Sequence, residues 1–159
     1  MSNSAPNPSL QKKTAARTAA IQILYQVAMT DEEQTTAERI KGLKARLKDN
    51  REEQKLLTGM GVEPDYALLS RLLDAIAQFQ GDIDARLDES LGAKWTRERM
   101  SKLLVAILRA AICELFFGKD VKPAIVIDEY TRLTRSFLTD PEADFVFGAL
   151  SKLAQRYAA

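Results

Sequence analysis

Cys113 is the only thiol in the sequence and histidine is absent, so the side chains that could do covalent or acid-base chemistry are few. Without an imidazole there is no Ser-His-Asp or Cys-His pair, and one cysteine cannot build the usual structural zinc site. Cys113 has apolar neighbours and no adjacent base, and reads as an inert buried thiol. Asp128 and Glu129 are a possible carboxylate pair, but consecutive helical residues point about 100° apart and cannot converge on one substrate atom. The acidic run Asp82, Asp84, Asp88, Glu89 fails as a calcium loop, because Arg86 stands where a third ligand belongs and Leu87 where the glycine belongs. None of the seven glycines forms a phosphate-cradling loop. The expectation is no catalytic residue, no metal and no cofactor.

The remaining chemistry is recognition of anions. The net charge is only +1, yet Lys12, Lys13 and Arg17 precede Asp31 with no carboxylate among them. A second basic cluster, Lys94, Arg97, Arg99 and Lys102 against the single Glu98, flanks Trp95. Cations beside a flat ring suit a single-stranded nucleic acid, whose phosphates need charge and whose unstacked bases need a surface. The competing reading is a solvated helix start with Trp95 packed against the helix below it. Arg109 and Glu114 lie in an apolar setting, and Arg109 should be paired with a carboxylate or with helix-end carbonyls.

Helices must position these groups, since apolar residues recur at intervals of three and four with almost no alternation of the strand type. A first helix is expected from about Leu10 to about Ala28, with Ala16, Ala20, Ile23, Leu24 and Val27 inward and Tyr25 about 80° round from Arg17. Thr35 and Glu38 have capping-box spacing and open a charged second helix that stops at Gly59 and Gly61. Pro64 opens a third, ended by Gly81, and a short fourth carries Ile83, Leu87 and Leu91 up to Gly92. The fifth, about Thr96 to Phe117, is apolar round much of its girth and marks a central helix. Pro123 starts the sixth, and Asp140 with Pro141 is read as the cap and first turn of the seventh. This is an all-α chain of about seven helices: residues 1–10 are expected as a flexible tail without the character of a secretory signal, and 11–159 as one domain. No apolar run is long enough to span a bilayer, and a cytoplasmic protein is expected.

The segments Arg17–Tyr25 (RTAAIQILY), Leu108–Leu115 (LRAAICEL) and Ile127–Phe137 (IDEYTRLTRSF), with Pro123 between the last two, resemble the bacterial NusB transcription antitermination factors. The resemblance covers about Lys12 to Leu153. It implies two perpendicular three-helix subdomains, and binding of boxA-type single-stranded RNA from ribosomal RNA leaders together with the ribosomal protein NusE in the transcription elongation complex. It places Arg17 and Tyr25 at RNA-facing positions of the first helix, with Lys12 and Lys13 in the basic amino-terminal region. Arg17 offers a planar fork for phosphate or a base edge; Tyr25 could stack a base or sit at the edge of the core. With Lys94 and Arg97, these are the expected RNA contacts. Two departures stand out. Thr14, Ala15 and Ala16 replace arginines usual in the family, which implies weaker RNA affinity, and Phe147 in FVFGAL replaces an amide residue that could hydrogen-bond across helices. A protein-only scaffold that has lost RNA recognition is the alternative. A NusB-like region also precedes the catalytic domain of some ribosomal RNA cytosine methyltransferases, but the glycine loop and paired cysteines of that chemistry are not in this sequence.

Overall fold

A computed structural model of the chain describes residues 7–30, 35–118 and 122–158. Among them are seven α-helices: α1 Pro8–Met29, α2 Thr36–Leu47, α3 Arg51–Thr58, α4 Tyr66–Leu91, α5 Lys102–Phe117, α6 Pro123–Phe137 and α7 Asp140–Arg156, with a 3-10 turn at Arg97–Arg99 before α5. No helix among the described residues is long and apolar enough to cross a membrane. Met1–Pro6 of the expected tail lie outside the described residues, while Pro8 to Leu10 form the first turn of α1, capped by Asn7.

Two groups of helices share one core. α1 packs on α2 and α3, α5 packs on α6 and α7, and α4 lies against members of both groups. The join is the contact of α1 with α5. It brings together small residues, Ala15, Ala16, Ala19 and Ala20 of α1 and Ala106, Ala110 and Ala111 of α5, all buried. Small side chains shorten the distance at which two helices can pack. The expected central character of the fifth helix is observed: ten of its residues are buried, from Leu104 to Glu114.

The boundaries differ from the sequence reading where tertiary contacts or capping outweigh local signals. The charged second segment is two helices, and Asn50, whose side chain accepts from the Glu53 amide, starts α3 afresh. Gly81 does not end α4. The irregularity falls instead at Phe79 (φ −111°, ψ 23°), whose ring stacks on Phe117 of α5 at 4.5 Å, and the helix runs on to Leu91. α5 begins at Lys102 rather than Thr96, because Ser101 accepts from the Leu104 amide. The cap of α7 is Thr139, in a box with Glu142, which leaves Asp140 as the first helical residue.

Candidate nucleic-acid interface

The α4–α5 connection carries one of the two basic clusters. It starts at Gly92, whose φ of 72° and ψ of −172° lie in a region open essentially to glycine alone. Two anchors hold the residues after this glycine. On the polar side, Arg97 reaches back to α4, donating from Nε to Asp88 Oδ1 (2.8 Å) and from Nη1 to Asp84 Oδ2 (2.8 Å). Asp84 also accepts from Arg109 of α5, at 2.8 Å from Nε and 3.2 Å from Nη2. The four residues form an alternating acid-base ladder, possible because positions 84 and 88 share a face of α4. The bond to Asp88, set against partial burial and helped by the charge of Asp84, raises the Arg97 pKa. Arg97, an expected RNA contact, is thus engaged by two carboxylates of its own chain. Arg109 has the carboxylate partner expected of it.

On the apolar side of the connection, Trp95 meets Phe145 of α7 edge to face, with ring centroids 6.4 Å apart. Half of Trp95 stays exposed (50%). The two rings, with Arg99, Met100, Ser101, Leu104, Pro141 and the carboxylate Glu142, line an open groove of about 350 Å³. Lys94 and Arg99 are exposed, and neither side chain has a partner among the described residues. This gives an aromatic surface with two uncommitted cations. Arg99 belongs to the basic cluster legible in the sequence, though not among the expected RNA contacts, whereas Phe145 escapes the sequence reading because it is remote in sequence, with nothing local to link it to Trp95.

The other cluster divides. Lys12 and Lys13 are exposed on the amino-terminal turns of α1, where the Lys12 carbonyl accepts from the Asp65 amide at 2.8 Å. Arg17, one turn further on, points inward and is 4% exposed. Its Nε and Nη2 donate to Glu114 Oε1 (2.9 Å) and Oε2 (2.6 Å), and the Tyr130 hydroxyl donates to the same carboxylate at 2.9 Å. Burial would lower the Arg17 pKa, but the hydrogen bond and charge of Glu114 outweigh it and raise it. Nη1 makes no hydrogen bond and faces Glu129 at 4.0 Å, a carboxylate that also accepts from Thr14 at 3.4 Å. Arg17, expected at an RNA-facing position, lies instead with its fork inside the protein, tying α1 to α5. Tyr25 is half-buried against the core, and its hydroxyl has no partner among the described residues.

The two clusters do not converge. Lys102 bonds to the Ala28 carbonyl near the far end of α1, and Lys12 and Ala28 are about 24 Å apart along that helix at ~1.5 Å per residue. Phe147 is exposed (54%), so this position points to solvent instead of across helices. Asp128 is on the surface with Arg132 while Glu129 is buried, so they form no carboxylate pair. Burial pushes the Cys113 thiol up to about 12, which disfavours the reactive thiolate. Among the described residues no group of three or more metal-ligating side chains comes together.

The fold and the groove define an all-helical protein whose distinctive surface is aromatic and basic, and the comparisons make the class specific. The NusB family matches residues 14–155. A transcription antitermination protein NusB of Bartonella tribocorum is 32% identical over 148 residues, covering 93% of this chain and 91% of that protein. The NusB of Gluconobacter oxydans is 31% identical over 150 residues, covering 94% and 91%. A crystal structure of antitermination factors NusB and NusE in complex with dsRNA shares the fold, with a TM-score of 0.68 at 20% identity over 93% of this chain and 99% of that one. The chain belongs to the NusB family, as the motifs in α1, α5 and α6 indicated.

Proposed function

We propose that this protein is a transcription antitermination factor of the cytoplasm, which binds boxA-type RNA of ribosomal RNA leader transcripts jointly with NusE and acts by binding without catalysis. Family membership and the relatives' role in antitermination support the reading, as does the NusB–NusE–RNA complex that shares this fold. The observation that carries it is the groove at Trp95 and Phe145, with Lys94 and Arg99 unpaired beside it. Stacking on an exposed ring favours an unpaired base, so a single-stranded element is the ligand we infer. Lys12 and Lys13 add a second point of attraction.

The test is fluorescence anisotropy with a labelled boxA-like strand and a scrambled control, across a salt series, with and without NusE. Sequence-selective binding, strengthened by NusE, is expected. If Lys12, Lys13, Lys94 and Arg99 each meet a phosphate, the logarithm of affinity should fall with that of salt at a slope of about −3, near −0.7 per contact for a single strand. The second reading, a scaffold that binds only proteins, is favoured by one observation: Arg17 and Arg97 are both neutralised by carboxylates. It becomes the better account if neither strand binds even with NusE present.

A further inference from the structure

We propose that Arg97 is a positioning residue: its fork across Asp84 and Asp88 holds the α4–α5 connection so that Trp95 and Lys94 are presented beside Phe145. The inference rests on the RNA-binding reading only for its functional consequence, since the geometry concerns the free protein. The connection has little else on its polar side. Gly92, Ala93, Lys94, Thr96 and Glu98 are exposed, and the 3-10 turn is closed by single backbone bonds from Arg99 to Thr96 and from Met100 to Arg97. The turn has no side-chain cap. Three donor atoms of Arg97, by contrast, engage two carboxylates of a rigid helix. Asp84 is itself pinned by Arg109, so the anchor is fixed relative to α5 as well as α4. Met100 is buried just beyond. Trp95, two residues before Arg97, thus lies between this anchor and the edge contact with Phe145. A planar fork on two acids fixes direction as well as distance, which an ammonium would not.

Trp95 is the only tryptophan in the chain, so its fluorescence reports the mobility and exposure of this segment directly. The experiment measures acrylamide quenching and anisotropy decay of Trp95 in free wild-type protein and in Arg97→Gln, Arg97→Lys and Asp88→Asn, with helix content checked by circular dichroism. Asp88 is the outer carboxylate of the ladder, and its replacement leaves the Asp84–Arg109 pair in place. All three variants should show more quenching and a faster anisotropy decay; Lys retains the charge but loses the fork. In RNA titrations, Trp95→Ala should weaken binding about 5- to 150-fold, the range expected for loss of one base–aromatic stack. Arg97→Gln should lose part of that factor with the salt slope unchanged, and should cost nothing further in the Trp95→Ala background.

Unchanged quenching and decay in Asp88→Asn and both Arg97 variants would overturn the proposal. So would a shallower salt slope, by about 0.7, together with a loss that persists in the Trp95→Ala background, because Arg97 would then be meeting phosphate itself. If Trp95→Ala leaves RNA affinity intact, RNA recognition at this groove fails, and the fluorescence alone decides whether Arg97 positions the segment.

Discussion

A buried guanidinium with a carboxylate on its fork and another at 4.0 Å is expensive to desolvate, and the whole arrangement depends on its partners staying charged. Glu114→Gln should therefore cost about 3 to 5 kcal/mol, the penalty of leaving one member of a buried pair uncompensated. In a chain of this size that is a drop of roughly 6 to 20 °C in Tm, read by thermal unfolding. The pH dependence has a definite sign. Cys113 is held at about 12 against an ordinary value of 9.0, and Tyr130, buried and facing Glu114, is held well above 10. Both bind their protons more tightly when folded, so the Cys113 contribution is intact below pH 9 and lost as pH rises toward 12, while that of Tyr130 is intact below pH 10 and lost above it. Tm should fall steeply across that window, and less steeply in Cys113→Ala. Among individual residues the sequence is a partial guide. The need of Arg109 for a partner, a carboxylate or helix-end carbonyls, follows from its apolar surroundings alone, and packing decides that the partner is Asp84. Arg17 and Arg97 read as free because their partners, Glu114 on another helix and Asp84 and Asp88 one element back, are set by packing and not by adjacency.

At the level of helices, capping chemistry is the most legible signal. Thr35 with Glu38 and the prolines opening α6 and α7 sit where spacing puts them. What is not legible is continuity. Gly81 is a helix breaker by propensity, but α4 makes its irregular turn two residues earlier, where the Phe79 ring stacks on Phe117; aromatic packing outweighs a propensity difference of about 1 kcal/mol. Gly92 is the position where backbone conformation is obligatory. A Cβ there would meet nothing within 4 Å, so Gly92→Ala tests strain alone and should cost about 1 to 3 kcal/mol, measured by urea unfolding. A variant as stable as the wild type would mean that the connection relaxes to another path, and Trp95 quenching would rise with it.

Across the whole molecule, the fold class and the family can be read from periodicity and three motifs, because an all-α core repeats its apolar spacing in every element. The interface can be read only in part. Lys12, Lys13 and Lys94 are exposed, and Trp95, for which packing is the sequence reading, is only half covered, by Phe145; the groove exists only because α7 brings Phe145 beside a segment some fifty positions earlier. The separation of the two basic ends has one more consequence. If the proposed ligand reaches both ends, the rise of α1 from Lys12 to Ala28, about 24 Å, corresponds at ~3.4 Å per stacked nucleotide to roughly seven nucleotides. Strands shorter than that can hold one end at a time, whereas longer ones gain the second grip at the high local concentration of a tethered ligand. Affinity plotted against strand length should therefore break upward near seven instead of climbing evenly. Under the proposed function, the length of α1 would then set a minimum word length before any letter in the word is read.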